Sequence, residues 1–208
     1  MNRYIYLILI LSSFFISSCN VSTKKVDKSI LIIEKFNLNH YSQNGSKLYM
    51  LDTPYSVFNQ TDQSYLLNKT NIKFFEQEII KYNVNSDSAK LLNNKFLVLK
   101  GNVEINDYNN NKTIIKSNNL SWDIDKSEFI LEGNVSLVNN IINLSSSKAL
   151  FDKKDDIIMF FNPIKYNYKN EDGIRKYNVS SENAYYNIST KDVIFKSNND
   201  KVKSKLVF

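Results

Sequence analysis

Between Phe96 and Leu137 the chain states one pattern of apolar and polar positions twice. Phe96-Leu97-Val98-Leu99 is a short apolar run, Gly101-Asn102-Val103 interrupts it, and Glu104-Ile105-Asn106 leaves it with alternating polarity. Phe129-Ile130-Leu131, Gly133-Asn134-Val135 and Ser136-Leu137 repeat the sequence of events. A period of two predicts strands, and the Gly-Asn step predicts a bend or bulge within each. A small apolar cluster precedes each copy, and the same kind of cluster recurs along the chain: Tyr55-Ser56-Val57, Ala89-Lys90-Leu91, Leu120-Ser121-Trp122, Ala149-Leu150-Phe151 and Ala184-Tyr185-Tyr186, at spacings of about 29 to 35 residues. Such a repeat predicts antiparallel strands stacked side by side in about five copies.

The flanks extend the pattern. Phe36 to Tyr41 alternates as a half-buried strand does, Asn44-Gly45 predicts a hairpin turn, and Lys47 to Leu51 returns. Thr70 to Val84 also fits a turn or two of helix around Phe74 to Ile80, but its strand-like flanks predict strand. The fourth copy replaces the Gly-Asn step with Phe161-Asn162-Pro163-Ile164, where proline must break the ladder. The fifth ends in Ile194-Phe195-Lys196 and a lysine-rich tail.

Alternation assigns side chains to faces. One face takes Leu97, Leu99, Val103 and Ile105, then Phe129, Leu131, Val135 and Leu137, then Ile158, Phe160, Ile164 and Tyr166, then Val193 and Phe195. Lys100, Glu104, Glu132 and Ser136 fall on the other, which reads as wetted. A sheet with one apolar face must meet another or fold on itself, giving a sandwich, jelly roll or barrel. The apolar face reads equally as a closed core or as the lining of an open trough. Trp122 reads as a core or interface residue, with contact to a hydrocarbon ligand as the sharper alternative.

Composition narrows the classes. The chain has 208 residues, a formal charge of +6, and basic residues scattered singly, so no stripe of the kind that tracks nucleic acid is formed. The lone cysteine, Cys19, excludes an intrachain disulfide. Met1-Asn2-Arg3, an apolar run from Tyr4 to Ile16 and the closing Ile16-Ser17-Ser18-Cys19 have the layout of a secretory signal ending in a lipobox, with an uncleaved membrane anchor as the alternative. The expected organisation is a signal peptide over 1–18, a lipidated cysteine and polar tether over 19–30, and one β domain over 31–208. His40 is the only histidine, so no metal site or cofactor is expected. Asp123 with Asp125 and Asp155 with Asp156 sit in predicted turns and read as turn formers, and no catalytic constellation stands out.

The exported anchor, Phe36 and Tyr41 in the early strand, Asn44-Gly45, the Ala89 cluster, Leu99-Lys100-Gly101-Asn102-Val103 and Leu120-Ser121-Trp122-Asp123 together resemble the LptC family of the lipopolysaccharide export machinery; the later copies resemble the broader repeat shared with LptA. The resemblance implies an open β-jellyroll and no enzymatic activity. It also implies partners: lipopolysaccharide, the inner-membrane ABC transporter, and an LptA-like bridge protein joined by edge-strand pairing. The trough lining implied is Leu97, Leu99, Val103, Ile105, Trp122, Phe129, Leu131, Val135, Leu137, Ile158, Phe160, Ile164 and Phe195. The location implied is the periplasmic side of the inner membrane, and here the lipobox at Cys19 would replace the family's transmembrane helix. A structural or adhesive β-repeat lipoprotein with a packed core is the alternative function.

Overall fold

The computed structural model describes residues 30–108, 114–170, 173–198 and 201–207, so Cys19 and the segments around it lie outside the described residues. All the regular structure described is strand: β1 (Ile30–Tyr41), β2 (Lys47–Asn59), β3 (Ser64–Glu76), β4 (Ile79–Leu92), β5 (Phe96–Asp107), β6 (Ile114–Asp123), β7 (Glu128–Val138), β8 (Ile142–Asp152), β9 (Ile157–Phe161), β10 (Lys165–Asn170), β11 (Gly173–Ser180), β12 (Asn183–Asn187), β13 (Val193–Lys196) and β14 (Lys203–Val207). The ambiguous Thr70 to Val84 segment is strand, divided by a turn at Gln77 and Glu78, both with positive φ.

Every pairing is antiparallel. β1 to β8 follow in order, after which the sheet forks. Lys148 to Asp152 of β8 pair with β9, which leads to β12 and β13, whereas Ile142 to Ser145 pair with β10, which leads to β11 and β14. Each long strand bends near its middle, so the sheet has two arms joined along one line of corners. The first arm holds the halves that read as continuous apolar runs, together with β9, β12 and β13. The second holds the alternating halves, with β10, β11 and β14. The sheet is open: among the described residues β1 pairs only with β2, β13 only with β12, and β14 only with β11.

The corners are made by two devices in turn. On β5, Gly101 and Asn102 stand opposite the single Asn118, and on β7 Gly133 and Asn134 stand opposite the single Ser147. All four have positive φ, which glycine and asparagine tolerate best. A β-carbon on Gly133 would lie 2.9 Å from Nδ2 of Asn118, so close approach adds a second demand for glycine there. The neighbouring strands turn on a hydroxyl that donates to the carbonyl two residues on: Thr53 to Tyr55, Ser86 to Ser88, Ser117 to Asn119, Ser146 to Lys148 and Ser181 to Asn183. This local bond gives each hydroxyl a partner where it would otherwise enter the corner unsatisfied.

Those hydroxyls set the true alignment of the small clusters. Three residues beyond each lie Ser56, Ala89, Leu120, Ala149 and Ala184, all buried. The sequence alignment that matched Tyr55 to Ala89 is therefore displaced by one residue; Tyr55 faces outward at 39% exposure and Ser56 faces in. Ser56 Oγ is buried without a hydrogen-bond partner, at a place where three other copies carry alanine. Ser56→Ala is expected to raise stability by about 1 kcal/mol, the cost of an unsatisfied buried hydroxyl; urea unfolding would measure it, and a loss of stability would contradict the alignment.

Ile164 departs from its expected face. Asn162, Pro163 and Ile164 stand opposite only Ser146 and Ser147 of β8, and Asn162 has positive φ. The surplus residue is pushed outward, leaving Ile164 75% exposed while its N–H donates to Ser145 O at 2.8 Å. Beyond it Tyr166 returns to the inner face opposite Leu144.

Candidate functional site

The arms face each other across an interior in which three cross-strand rows can be followed from strand to strand. In the first arm one row runs Leu31, Phe58, Tyr65, Leu91, Leu97, Trp122, Phe129, Phe151, Ile158, Tyr186 and Val193, with each residue paired to the next. Its neighbour runs Ile33, Ser56, Leu67, Ala89, Leu99, Leu120, Leu131, Ala149, Phe160, Ala184 and Phe195. In the second arm the facing row includes Leu38, Leu51, Ile72, Val84, Ile105, Ile115, Leu137, Leu144 and Tyr166. No ionisable carboxylate or amine interrupts these three rows; the next inward row of the second arm, His40, Tyr49, Phe74, Tyr82 and Asp107, ends on a buried carboxylate.

Opposite the line of corners, the free ends of the arms meet through aromatic rings. Trp122 packs edge-on against Tyr49 and Phe74, with ring centroids 5.1 and 5.0 Å away, and against Phe129 at 5.4 Å. Phe129 also meets Phe74 at 5.3 Å and Phe151 at 5.6 Å, and Tyr82 meets Phe151 edge-on. The indole N–H is satisfied by Lys126 O at 3.0 Å.

A polar latch ties the same mouth. In the β8–β9 turn, Asp156 accepts the Tyr82 hydroxyl at 2.6 Å and an ion pair from Lys81 at 2.9 Å; Lys81 also reaches Glu76 at 2.9 Å. Asn139, in the β7–β8 turn, donates to the Tyr186 hydroxyl at 2.9 Å. Lys153 Nζ lies 4.8 Å from the centre of the Phe74 ring, spanning the same gap. Burial pushes the Lys81 ammonium down, but Glu76 and Asp156 together outweigh it and hold its pKa above the usual value. Burial, reinforced by the Lys81 charge, pushes Lys153 below it.

Tyr82 is raised far above the ordinary phenol value of 10, first by burial and then by its bond to Asp156; burial raises Tyr49 and Tyr166 as well. Above pH 10 the unfolded chain gives up these protons while the folded chain keeps them, so the unfolded state binds fewer protons and stability falls as pH rises. Urea unfolding on either side of pH 10 is expected to show this loss, with a shallower slope for Tyr82→Phe. An unchanged slope would remove Tyr82 from the account.

The profile of the family described as "Lipopolysaccharide-assembly, LptC-related" matches residues 4–148, more than half of the chain. The chain belongs to this LptC-related family. Membership makes it a non-enzymatic, periplasmic component of lipopolysaccharide transport. Among solved structures, it is similar to LptH from Pseudomonas aeruginosa, described as the LptA homologous periplasmic component of the lipopolysaccharide transport device. The match has 12% identity and a TM-score of 0.45, and covers 61% of this chain and 94% of that one. No curated protein sequence matches.

In this LptC-related chain, eleven of the thirteen residues expected to line a trough lie buried between the arms: Leu97, Leu99, Val103, Ile105, Trp122, Phe129, Leu131, Val135, Leu137, Ile158 and Phe160. Phe195 is half-buried against them, and Ile164 lies outside. Tyr49, Phe74, Tyr82, Phe151 and Tyr186 are the large aromatic residues that the interior adds to the expected lining. Asp156, expected only to shape a turn, joins the arms. His40 stacks on Tyr49 with centroids 4.9 Å apart.

Proposed function

We propose that this LptC-related chain carries lipopolysaccharide across the periplasm by admitting its acyl chains between the two arms. It would take the lipid from the inner-membrane ABC transporter and pass it to an LptA-like bridge protein. The observation that carries the reading is the pair of rows, apolar throughout except for Ser56, running from β1 to β13 at right angles to the strands. An acyl chain lying along them would be shielded at about 0.8 kcal/mol per buried CH₂. Entry requires the mouth to part, and hydrocarbon then takes the place of each ring that withdraws from its neighbours. The exchange leaves only a modest net affinity, which lets cargo move on.

The free edges supply the junctions. β1 has no buried residue and carries Ile30 to Ile33 beside an edge that no described strand pairs, and strand addition to it and to the far edge would join neighbouring jelly rolls. Acylation of Cys19 would hold the assembly at the inner membrane, since two or more acyl chains anchor stably. A photoreactive residue at Leu99, Leu131 or Phe160 is expected to crosslink to lipopolysaccharide in cells, whereas one at outward Lys116 is not. Absence of lipid at all three interior sites, in variants that still unfold cooperatively, would favour a packed structural lipoprotein instead.

A further inference from the structure

The central outward rows of the two arms differ in kind. On the second arm, the central outward row reads Asn37, Asp52, Asn71, Asn85, Glu104, Lys116, Ser136, Ser145 and Lys165, without an apolar member. On the first arm, the corresponding row reads Ile32, Val57, Leu66, Lys90, Val98, Ser121, Ile130, Leu150, Met159, Tyr185 and Ile194. Only Lys90 and Ser121 break it. At a strand spacing of about 4.8 Å, its ten steps extend roughly 48 Å. Ile32, Leu66, Ile130 and Ile194 are 59%, 51%, 39% and 55% exposed. Where the small Ser121 interrupts the row, a groove of about 280 Å³ opens between Val98 and Ile130.

The first arm thus carries an apolar stripe on its outer face, beside a polar row on the corner side that includes Glu34, Asn68, Lys100, Glu132, Lys148 and Lys196. Its inner face is covered by the second arm; nothing in the described chain covers the outer one. An exposed apolar surface of this extent marks contact with a partner or a membrane.

We propose that the outer face of the first arm, at its β1 end, rests on the lipid bilayer. The occupant follows from where the chain enters the fold. The apolar run Tyr4 to Ile16 and Cys19 precede the domain, and only the ten residues Asn20 to Ser29 separate Cys19 from β1, a reach of at most about 35 Å. Two residues into β1 stands Ile32, the first member of the outer row. The sheet's twist turns successive strands by about 20 to 25°, so a flat surface meets only part of the row, and the part nearest the tether is Ile32, Val57 and Leu66. Lys90, the one charge in the row, is compatible with this placement, because a lysine stem can cover apolar surface while its ammonium, here 3.1 Å from Asp62, reaches out of it. Contact of this kind buries side chains about 5 to 10 Å into the boundary between headgroups and acyl chains. The second arm and its polar face then point away from the membrane. The inference rests on the N-terminal run being a membrane anchor, but concerns a different surface from the interior that takes cargo.

The test uses the full chain in vesicles of phosphatidylethanolamine and phosphatidylglycerol containing acyl-brominated phosphatidylcholine, a short-range quencher of indole fluorescence. Leu66→Trp and Ile32→Trp place a reporter on the outer row, and Lys116→Trp places one on the polar face of the other arm. Trp122 gives all three the same buried background. Flotation first reports whether the chain is anchored. Loss of the added emission at positions 66 and 32, but not at 116, is the expected result. Floating vesicles with equal quenching at all three positions, or none, would overturn the proposal while leaving the anchor intact; a chain that does not float would overturn both. Association of the floated protein through this face, seen as concentration-dependent crosslinking between copies with unquenched tryptophan, would assign the face to a second copy and overturn it likewise.

Discussion

Phe129→Ala is expected to lower the free energy of unfolding by about 3–5 kcal/mol, near the upper end for a single substitution in this protein. Phe129 is 1% exposed and touches rings from both arms, Phe74 on one side and Trp122 and Phe151 on the other. The void would therefore open where the arms meet, and neither arm can collapse into it without parting from the other. Phe96→Ala, on the same arm but 48% exposed, is expected to cost about 1 kcal/mol or less. Urea midpoints for the two variants separate the cases: similar losses would mean that the ring cluster at the mouth is not what joins the arms.

Asp156→Ala is expected to cost about 2–4 kcal/mol and to loosen the mouth specifically. It removes one carboxylate that holds both Tyr82 and Lys81, and the Lys81 side chain is only 17% exposed, so the loss leaves a buried phenol and a poorly hydrated ammonium short of partners. Asp156→Asn should fall between the variant and the parent, because its amide oxygen still accepts from Tyr82 while the charge is lost. Native-state hydrogen exchange should show faster opening of β4 around Tyr82 and of the β8–β9 turn, with β5 to β7 near the corners unchanged. Uniform acceleration along all strands would mean that Asp156 contributes global stability and no latch.

The inner face was legible because its code is local. Leu97, Leu99, Val103 and Ile105 keep one parity through the Gly101-Asn102 bulge, and so do Phe129, Leu131, Val135 and Leu137 through Gly133-Asn134. The corner hydroxyls were not legible. Ser86, Ser117, Ser146 and Ser181 each make a bond within two residues, and in a chain so rich in serine and asparagine nothing local sets them apart. Local sequence therefore aligns the first cluster through Tyr55, although Ser56 is the equivalent residue. Ile164 was misplaced because alternation counts residues evenly, whereas three residues there face two across the ladder.

The mouth was invisible for a different reason. Tyr82 and Asp156 are 74 residues apart and carry no shared period, so only the folding of one arm over the other brings them together. The outer apolar row is an intermediate case. Val98 and Ile130 were visible inside apolar runs, but a run apolar at every position does not say which side is covered. Only the register across eleven strand segments shows that the uncovered residues align.

Trp122 gives the most direct test of the interior as a lipid path, because it is the sole tryptophan and sits at the mouth between Tyr49, Phe74 and Phe129. Titrating the protein with lipopolysaccharide should shift its emission saturably as acyl chains replace those rings, and the fully deacylated saccharide should leave it unchanged. Lipopolysaccharide that binds the protein without moving the Trp122 emission would contradict the account.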